Sequence, residues 1–245
     1  MCGEALRDVT RIPVCARCLS DPQPLVTEYF CSSCRAPFVN GFPLDESGRC
    51  ALCRLGLVGF DAAYTYGSYE GTLRKLIHLY KYEKIHTLAK PLSRLLGQVL
   101  PREQHFDVIV PMPLHWRRRW ERGFNQSALL AREIGRIWNA PVRQPVRRAK
   151  ATAPQAGLTN AKRRVNVSGA FIAKKNARLD GARVLLVDDV LTTGATAAAC
   201  ARALKRAGAK HVALLAVART DRRVTIQDFE TKTDAAHAAG AGRPV

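Results

Sequence analysis

The sequence predicts an α/β protein: a doubly wound, mostly parallel sheet with helices on both faces, preceded by a small cysteine-rich segment. Three observations predict this class. Strand-type aliphatic runs alternate with helix-type segments from about Phe60 onward. The aliphatic runs are unbroken, which is typical of parallel strands buried on both faces. Seven of the eight cysteines precede position 54, which confines the cysteine-rich part to the amino-terminal end.

The predicted elements follow one another in a regular order. Short alternating or aliphatic runs predict the strands "DAAYTYGSY", "FDVIVPMP", "RVLLVDD" and "HVALLAVA". Apolar residues at helical spacing predict the helices "EGTLRKLIHLYKY", "TLAKPLSRLLGQVL", "NQSALLAREIGRIW" and "TAAACARALKRAGA", the last capped by Gly208. We therefore expect a cysteine-rich segment at 1–59, an α/β domain at 60–220 and a frayed, disordered tail at 221–245.

The charge of the chain restricts its partners. The 245 residues carry a formal net charge of +19. Such a surface attracts polyanions, whether nucleic acid, anionic membrane or small phosphorylated metabolites; a basic surface that serves solubility alone is the alternative. No apolar run approaches the roughly 20 residues of a membrane helix, and the first residues lack the apolar core of a signal peptide. We expect a cytoplasmic protein with no membrane span.

The cysteines of the amino-terminal segment predict a metal site. Three C-x-x-C pairs occur, at Cys15/Cys18, Cys31/Cys34 and Cys50/Cys53. Two pairs joined by a hairpin complete a site of four thiolates, and four thiolates leave no position open for catalytic water. We expect structural Zn²⁺ on Cys31, Cys34, Cys50 and Cys53. For Cys15 and Cys18, either the pair is left over, or Cys2 and a nonlocal ligand join it.

The stretch "VLLVDDVLTTGAT", Val184 to Thr196, predicts the functional site. Two adjacent carboxylates repel each other when desolvated, so a ligand must favour them where the buried strand ends. The small, hydroxyl-rich turn that follows exposes backbone N–H groups at a helix N-terminus, which favours phosphate. The turn is not a Walker loop, because it lacks the lysine of that motif. Carboxylates for ribose hydroxyls beside a cradle for a 5′-phosphate indicate a phosphorylated sugar.

The same stretch resembles the motif that binds phosphoribosyl pyrophosphate (PRPP) in type I phosphoribosyltransferases. Two further stretches resemble the competence-protein F (ComF) family of that superfamily. One is "RGFNQS", Arg122 to Ser127. The other is the basic stretch "RRAKATAPQAGLTNAKRRVNVSGAF", whose family pattern falls on Arg148, Thr152, Gln155, Leu158, Arg164, Asn166 and Phe171. With the cysteine-rich segment, the resemblance covers nearly the whole chain. Relatives often carry four C-x-x-C pairs, and here the first is either lost or reduced to Cys2.

The resemblance implies transfer of ribose 5-phosphate from PRPP, with Mg²⁺, to a base-like acceptor that the sequence does not identify, with release of pyrophosphate. Asp188 and Asp189 would be the catalytic residues that hold the ribose hydroxyls. The 5′-phosphate would be bound by Thr192, Thr193, Gly194, Ala195 and Thr196. Pyrophosphate would be met by members of a basic group, although four arginines in six residues also fit a solvated face: Arg117, Arg118, Arg119 and Arg122. A mobile loop would supply Arg148, Gln155 and Arg164.

Two other functions stay open. No acidic residue lies between Glu133 and Asp180, although many basic residues do, which favours a nucleic-acid surface. The chain is then a non-catalytic adaptor that binds single-stranded DNA and meets DNA-uptake proteins. Trp116, Trp120 and Phe124 would stack on bases, although core anchoring is expected for at least two of them. The other alternative is an unreactive sensor of PRPP or another nucleotide.

Overall fold

The computed structural model of the protein describes residues 2–3, 11–116, 120–121, 123–149 and 169–220. In chain order, its strands are β1 (Tyr29–Phe30), β2 (Pro37–Phe38), β3 (Ala62–Ser68), β4 (Val108–Pro111), β5 (Val146–Arg148), β6 (Phe171–Ala173), β7 (Arg183–Leu191) and β8 (His211–Arg219). Its helices are α1 (Ala16–Ser20), α2 (Ala51–Arg54), α3 (Gly71–Tyr82), α4 (Ala89–Val99), α5 (Gln126–Trp138) and α6 (Ala195–Arg206), and a 3-10 turn spans His86–Leu88.

The central sheet consists of β3, β8, β7 and β4 in that order, and all of its pairs are parallel. Each predicted strand and helix of this part is present, so the predicted α/β class with a parallel sheet is confirmed. The two-stranded sheets β1–β2 and β5–β6 were not predicted, because strands of two or three residues show no periodicity. Both sheets are antiparallel.

Side chains of the central strands alternate between two apolar layers. Val184 and Leu186 pack on the side of α6, together with the cysteine-rich segment. Leu185 and Val187 pack on the opposite side, against residues of α3, α4 and α5. All four are fully buried, which explains why the strand is apolar without interruption. The doubly wound arrangement therefore follows from burial on both faces.

Strand β7 is longer than the sequence indicated. We expected it to end at the acid pair, whereas it continues to Leu191, paired throughout with β8. Its other neighbour stops earlier, since the pairing with β4 ends at Pro111↔Val187. Beyond Val187, β7 is flanked by a strand on one side alone. The acid pair therefore lies beside an opening at the carboxyl edge of the sheet.

The cysteine-rich segment joins the edge of the sheet next to β3. The backbone N–H of Ala63 donates to the carbonyl oxygen of Ser33 at 3.1 Å, and the Ser33 hydroxyl donates to the carbonyl oxygen of Asp61 at 2.9 Å. The proposed boundary near residue 59 stays a prediction, and 221–245 lies outside the described residues. Within the described ranges, every helix is too short or too polar to cross a membrane.

Candidate functional site

A cavity of about 190 Å³ opens at the carboxyl edge of the sheet, where β7 extends past β4. Its wall combines the end of β7, the start of α6, the residues after β4, one residue each from α3 and β5, and two from α5. The lining residues are Lys81, Met112, Pro113, Leu114, Gln126, Ser127, Arg148, Asp188, Asp189, Val190, Leu191, Thr192, Gly194, Thr196 and Ala197.

The two acids have different partners. Asp188 Oδ1 accepts from the hydroxyl of Ser127 at 3.1 Å and from the backbone N–H of Asp189 at 2.9 Å. Burial and the neighbouring Asp189 carboxylate raise the pKa of Asp188 to about 7, against the opposing effects of Lys81 and the two hydrogen bonds. Asp188 is therefore held by neutral donors and binds a proton more readily than an ordinary carboxylate does.

Asp189 has a cationic partner instead. Lys81 Nζ lies 2.8 Å from Asp189 Oδ1, and both side chains are 12% exposed. Burial pulls the pKa of Lys81 down, but the Asp189 and Asp188 carboxylates outweigh it, so the pKa of Lys81 is raised overall. Lys81 is therefore a charged lysine whose ammonium contacts the Asp189 carboxylate.

Helix α3 brings Lys81 to this position. The helix begins shortly after β3, at one edge of the sheet, and its last turn meets Asp189 on β7, two strands away. It therefore crosses the carboxyl ends of the strands. Its apolar face is Leu73, Leu76, Ile77 and Tyr80, as the helical spacing predicted.

The segment Asn125–Gln126–Ser127 fixes the opposite wall. Asn125 caps α5, because its side-chain oxygen accepts from the Ser127 N–H at 3.1 Å, and its amide donates to the Met112 carbonyl at 3.1 Å. The buried Gln126 donates to the Lys81 carbonyl at 3.4 Å and accepts at its own carbonyl from the Tyr80 hydroxyl at 2.8 Å. This segment therefore ties β4, α3 and α5 together around the acid pair.

The turn between β7 and α6 contributes backbone as well as hydroxyls. Gly194 has a φ of +77°, in the left-handed region that favours glycine. Thr192, Gly194 and Thr196 line the cavity, at the N-terminus of α6. The Thr193 hydroxyl instead accepts from the Ala195 N–H at 3.4 Å. Three of the five predicted turn residues thus face the same opening as the acids, while Thr193 and Ala195 are not among its lining residues.

The structure describes one of the predicted loop cations. Arg148 lines the cavity from the end of β5, and its guanidinium lies 5.6 Å from the centre of the Phe171 ring. The other predicted loop residues lie outside the described residues: Arg117, Arg118, Arg119, Arg122, Gln155 and Arg164.

The three aromatic residues near "RGFNQS" differ in burial. Phe124 packs on His86 with ring centres 4.0 Å apart, and on Tyr80 at 5.8 Å. Trp116 is 65% exposed and Trp120 is 87% exposed. The expectation that at least two of the three anchor the core is therefore wrong. Both tryptophans follow the carboxyl end of β4 in the sequence.

The predicted thiol cluster is assembled. The sulfurs of Cys31, Cys34, Cys50 and Cys53 all lie within 4.8 Å of one another. Cys31 and Cys53 are 3.6 Å apart, and Cys34 and Cys50 are 3.8 Å apart. Tetrahedral zinc with bonds of ~2.3 Å places its sulfurs about 3.8 Å apart, so the thiols fit that ion. Hydrogen bonds from the Cys34 and Cys50 thiols lower the pKa of Cys31, which favours a thiolate there.

A second group of thiols lies nearby in the sequence. The sulfurs of Cys2, Cys15 and Cys18 also lie within 4.8 Å of one another, with Cys2 and Cys15 3.5 Å apart. Of the alternative in which Cys2 and a nonlocal ligand join the pair, the structure supports the part that concerns Cys2, and within the described residues the group consists of these three thiols. Both groups have donor sets that can hold a metal ion.

Sequence reasoning missed Lys81 and Ser127. Lys81 comes directly after Tyr80, the last residue of the apolar face of α3, and a lysine at that position is expected to be exposed to solvent. Ser127 was part of "RGFNQS", but no pattern indicated that its hydroxyl reaches Asp188, 61 positions away. Contacts between residues this distant in sequence depend on tertiary structure. The sequence offered one signal for Ser127, namely that it is a polar residue within the motif "RGFNQS".

The chain is similar to several known proteins. The phosphoribosyl transferase domain model matches residues 130–234. The DNA utilization protein YhgH of Escherichia coli K12 is 35% identical over 196 residues, 74% of this chain and 82% of that protein. Competence protein F of Haemophilus influenzae is 28% identical over 227 residues, 89% of this chain and 90% of that protein. A solved glutamine PRPP amidotransferase from B. subtilis aligns with a TM-score of 0.37 and 21% identity over 53% of this chain and 26% of its own. The identity of 35% to YhgH, over 82% of that protein, shows that the chain belongs to the ComF family within the phosphoribosyltransferase superfamily.

Proposed function

We propose that this protein binds PRPP with Mg²⁺ and transfers its ribose 5-phosphate to a base-like acceptor, with release of pyrophosphate. One observation carries the proposal: two carboxylates and a glycine-hinged, threonine-rich turn at a helix N-terminus line the same cavity. Sugar hydroxyls donate well to carboxylates, and a phosphate accepts from N–H groups at a helix N-terminus. The presence of both sets in one opening suits a phosphorylated pentose.

Each group has one task in this proposal. Asp188 and Asp189 accept from the ribose hydroxyls, directly or through water on Mg²⁺. Thr192, Gly194 and Thr196 bind the 5′-phosphate. Arg148 lies on the wall of the same cavity and offsets negative charge on the ligand. Two carboxylates offer the hard oxygen ligands that Mg²⁺ prefers, and Mg²⁺ supplies charge neutralisation for the leaving pyrophosphate.

Calorimetric titration tests the binding step. Wild-type protein is expected to bind PRPP in the presence of Mg²⁺, and Asp188→Asn/Asp189→Asn to lose that binding. Asp180→Asn is the matched control, because it removes an exposed carboxylate outside the residues that line the cavity. Equal PRPP affinity in the double variant and the wild type contradicts the proposal.

Turnover is tested separately from binding. Pyrophosphate release in a panel of nucleobases, with PRPP and Mg²⁺ present, identifies the acceptor and establishes a transferase. Tight PRPP binding without release for any base instead supports the unreactive sensor. A thermal-shift panel of bases in the presence of PRPP ranks the candidates before the assay.

The four-thiolate cluster is proposed to hold structural Zn²⁺. Its sulfur separations and burial support this assignment. A closed set of four thiolates stabilises a fold and leaves no site for a reacting water. The cluster packs in the same apolar layer as α6, so its ion stabilises the segment that supports the phosphate turn.

A second function, binding of single-stranded DNA, is supported by a different surface. A cavity of about 270 Å³ is lined by Arg143, Gln144, Pro145, Lys174, Asn176 and Ala177. Two relatives are named for DNA utilization and for competence, which favours a role for this chain beside proteins of DNA uptake in the cytoplasm. Cations at a groove bind a nucleic-acid backbone by release of counterions.

The DNA function is tested by its dependence on salt. Affinity for a single-stranded oligonucleotide is expected to fall steeply between low and moderate salt, and Arg143→Ala/Lys174→Ala to weaken it at low salt. Lys75→Ala/Lys90→Ala is the charge-matched control, since both lysines are exposed on other elements. A salt-independent affinity, or equal losses in the two double variants, contradicts this function.

A further inference from the structure

The ion pair of Lys81 and Asp189 makes the two acids of the motif chemically unequal. A lysine side chain that is 12% exposed needs a counter-ion, because desolvating an unpaired ammonium costs several kcal/mol. Asp189 supplies that charge at 2.8 Å. Asp188 receives hydrogen bonds from Ser127 and from a backbone N–H instead. One carboxylate is therefore fixed by a cation and the other by neutral donors.

The backbone at Lys81 is held in place by contacts with α5. The carbonyl oxygen of Lys81 accepts from the side-chain amide of Gln126 at 3.4 Å. The preceding residue, Tyr80, is fully buried and donates its hydroxyl to the Gln126 carbonyl at 2.8 Å. The end of α3 is thus fastened to the start of α5 at two points. Lys81 therefore approaches Asp189 from a fixed backbone and restricts the orientation of its carboxylate.

Lys81 also lies outside the part of the chain that matches the phosphoribosyl transferase domain, which is 130–234. It reaches the acid pair across two strands of the sheet. A cation on the wall of the cavity has two possible roles: it can contact an anionic ligand, or it can act through the carboxylate. The separation of 2.8 Å to Asp189 favours the second.

We propose that Lys81 is a positioning residue: it holds the Asp189 carboxylate in the orientation in which the acid pair accepts the hydroxyls of the sugar. This inference rests on the proposed function of the cavity. It adds Lys81, which lies outside the motif Val184 to Thr196, to the residues that bind the sugar. It also predicts that the two parts of the ligand depend on different residues. The sugar depends on Lys81, while the phosphate on the Thr192–Thr196 turn does not.

The test compares three ligands on Lys81→Met, which removes the charge and keeps an unbranched side chain of similar length. Binding of PRPP and of ribose 5-phosphate, measured with Mg²⁺, is expected to weaken by the same factor, about tenfold or more. Binding of inorganic phosphate is expected to stay unchanged. Lys75→Met, on the exposed side of the same helix, is the matched control and leaves all three affinities unchanged.

Two further variants distinguish a charge acting through Asp189 from loss of structure. Lys81→Arg keeps the positive charge and is expected to retain ribose 5-phosphate affinity within about threefold. In an Asp189→Asn background, Lys81→Met is expected to cause no further loss, because the partner through which it acts is gone. That background also relieves the unpaired buried carboxylate, so this variant tests the inference even if Lys81→Met alone is unstable.

The outcomes separate the two claims. If the wild type binds neither PRPP nor ribose 5-phosphate, the proposed function fails and this inference fails with it. If the wild type binds both and Lys81→Met binds them equally well, the role of Lys81 alone is overturned. It is also overturned if PRPP binding falls while ribose 5-phosphate binding is kept, since Lys81 then contacts the diphosphate directly. Additive losses in the Asp189→Asn background, or an equal loss in Lys81→Arg, overturn it as well.

Discussion

The guanidinium of Arg219 donates a hydrogen bond of 2.9 Å to the carbonyl oxygen of Cys34. Arg219 is 6% exposed and ends β8, where it pairs with Leu191 of β7. Leu191 lines the candidate site, and Cys34 belongs to the four-thiol cluster. The buried side chain of Arg219 therefore connects the loop of the four-thiol cluster to the strand ends that line the cavity.

Replacing Arg219 by Met is expected to destabilise the protein. The substitution leaves the Cys34 carbonyl without this donor, and a lost hydrogen bond from a charged group costs about 2 kcal/mol. Urea unfolding of the zinc-loaded protein measures the loss. Arg206→Met removes an exposed arginine from α6 and is expected to leave the midpoint unchanged. Coincident unfolding curves for Arg219→Met and the wild type would show that this hydrogen bond does not stabilise the fold.

Zinc content is expected to depend on the four-thiol cluster. Cys34→Ser removes one ligand of a closed tetrahedral site and is expected to lower the bound zinc by about one equivalent and the unfolding midpoint with it. Elemental analysis of purified protein gives the stoichiometry. The buried thiol of Cys200, on α6, is outside both thiol groups, so Cys200→Ala is the control and keeps the zinc content. Equal zinc content in Cys34→Ser and the wild type would contradict the assignment.

Gly194→Ala is expected to weaken phosphate binding as well as stability. A side chain at a φ of +77° costs about 1 kcal/mol or more, and relaxing that strain moves the backbone of the turn. Gly181 has a φ of +73° with open space around it and is not a lining residue of the cavity. Gly181→Ala therefore introduces the same backbone strain at a position that does not line the cavity. Thermal unfolding is expected to fall in both variants, and affinity for PRPP only in Gly194→Ala. Equal affinities in the two variants would contradict a role for the turn.

The sequence contained enough information to predict the sheet and the position of the acid pair. Unbroken aliphatic runs such as Val184–Val187 indicate strands buried on both faces, because no face of the strand needs polar residues. The carboxyl end of such a strand is where ligands bind in an open α/β sheet. The spacing of the C-x-x-C pairs likewise predicted which thiols meet, because two short pairs joined by a hairpin form one tetrahedral set.

The rest depends on contacts between distant segments. The pairing of Lys81 with Asp189 requires α3 to cross two strands, and no local pattern encodes that path. The bond from Ser127 to Asp188 has the same origin. The expectation that at least two of the three aromatic residues are buried was wrong, because Trp116 and Trp120 are exposed. Aromatic residues are highly buried on average, and the sequence alone does not show which of them are exceptions.

The raised pKa of Asp188 predicts how stability depends on pH. Burial and the Asp189 carboxylate raise it to about 7 in the folded protein, whereas an unfolded aspartate has a pKa of about 3.9. Between these two values, the folded state binds more protons than the unfolded state, so the contribution of Asp188 to stability is present below about pH 4 and is lost as the pH rises through about 7. The free energy of unfolding of the wild type is therefore expected to fall relative to that of Asp188→Asn as the pH is raised from about 5.5 to about 8. Urea unfolding of both proteins at each pH measures this difference, and titrating groups remote from Asp188, including the thiols of the four-thiol cluster, cancel because both proteins contain them. A difference that is constant with pH, or that grows in favour of the wild type, would show that Asp188 is already ionised throughout the range and that its neighbours stabilise the charge more than burial opposes it.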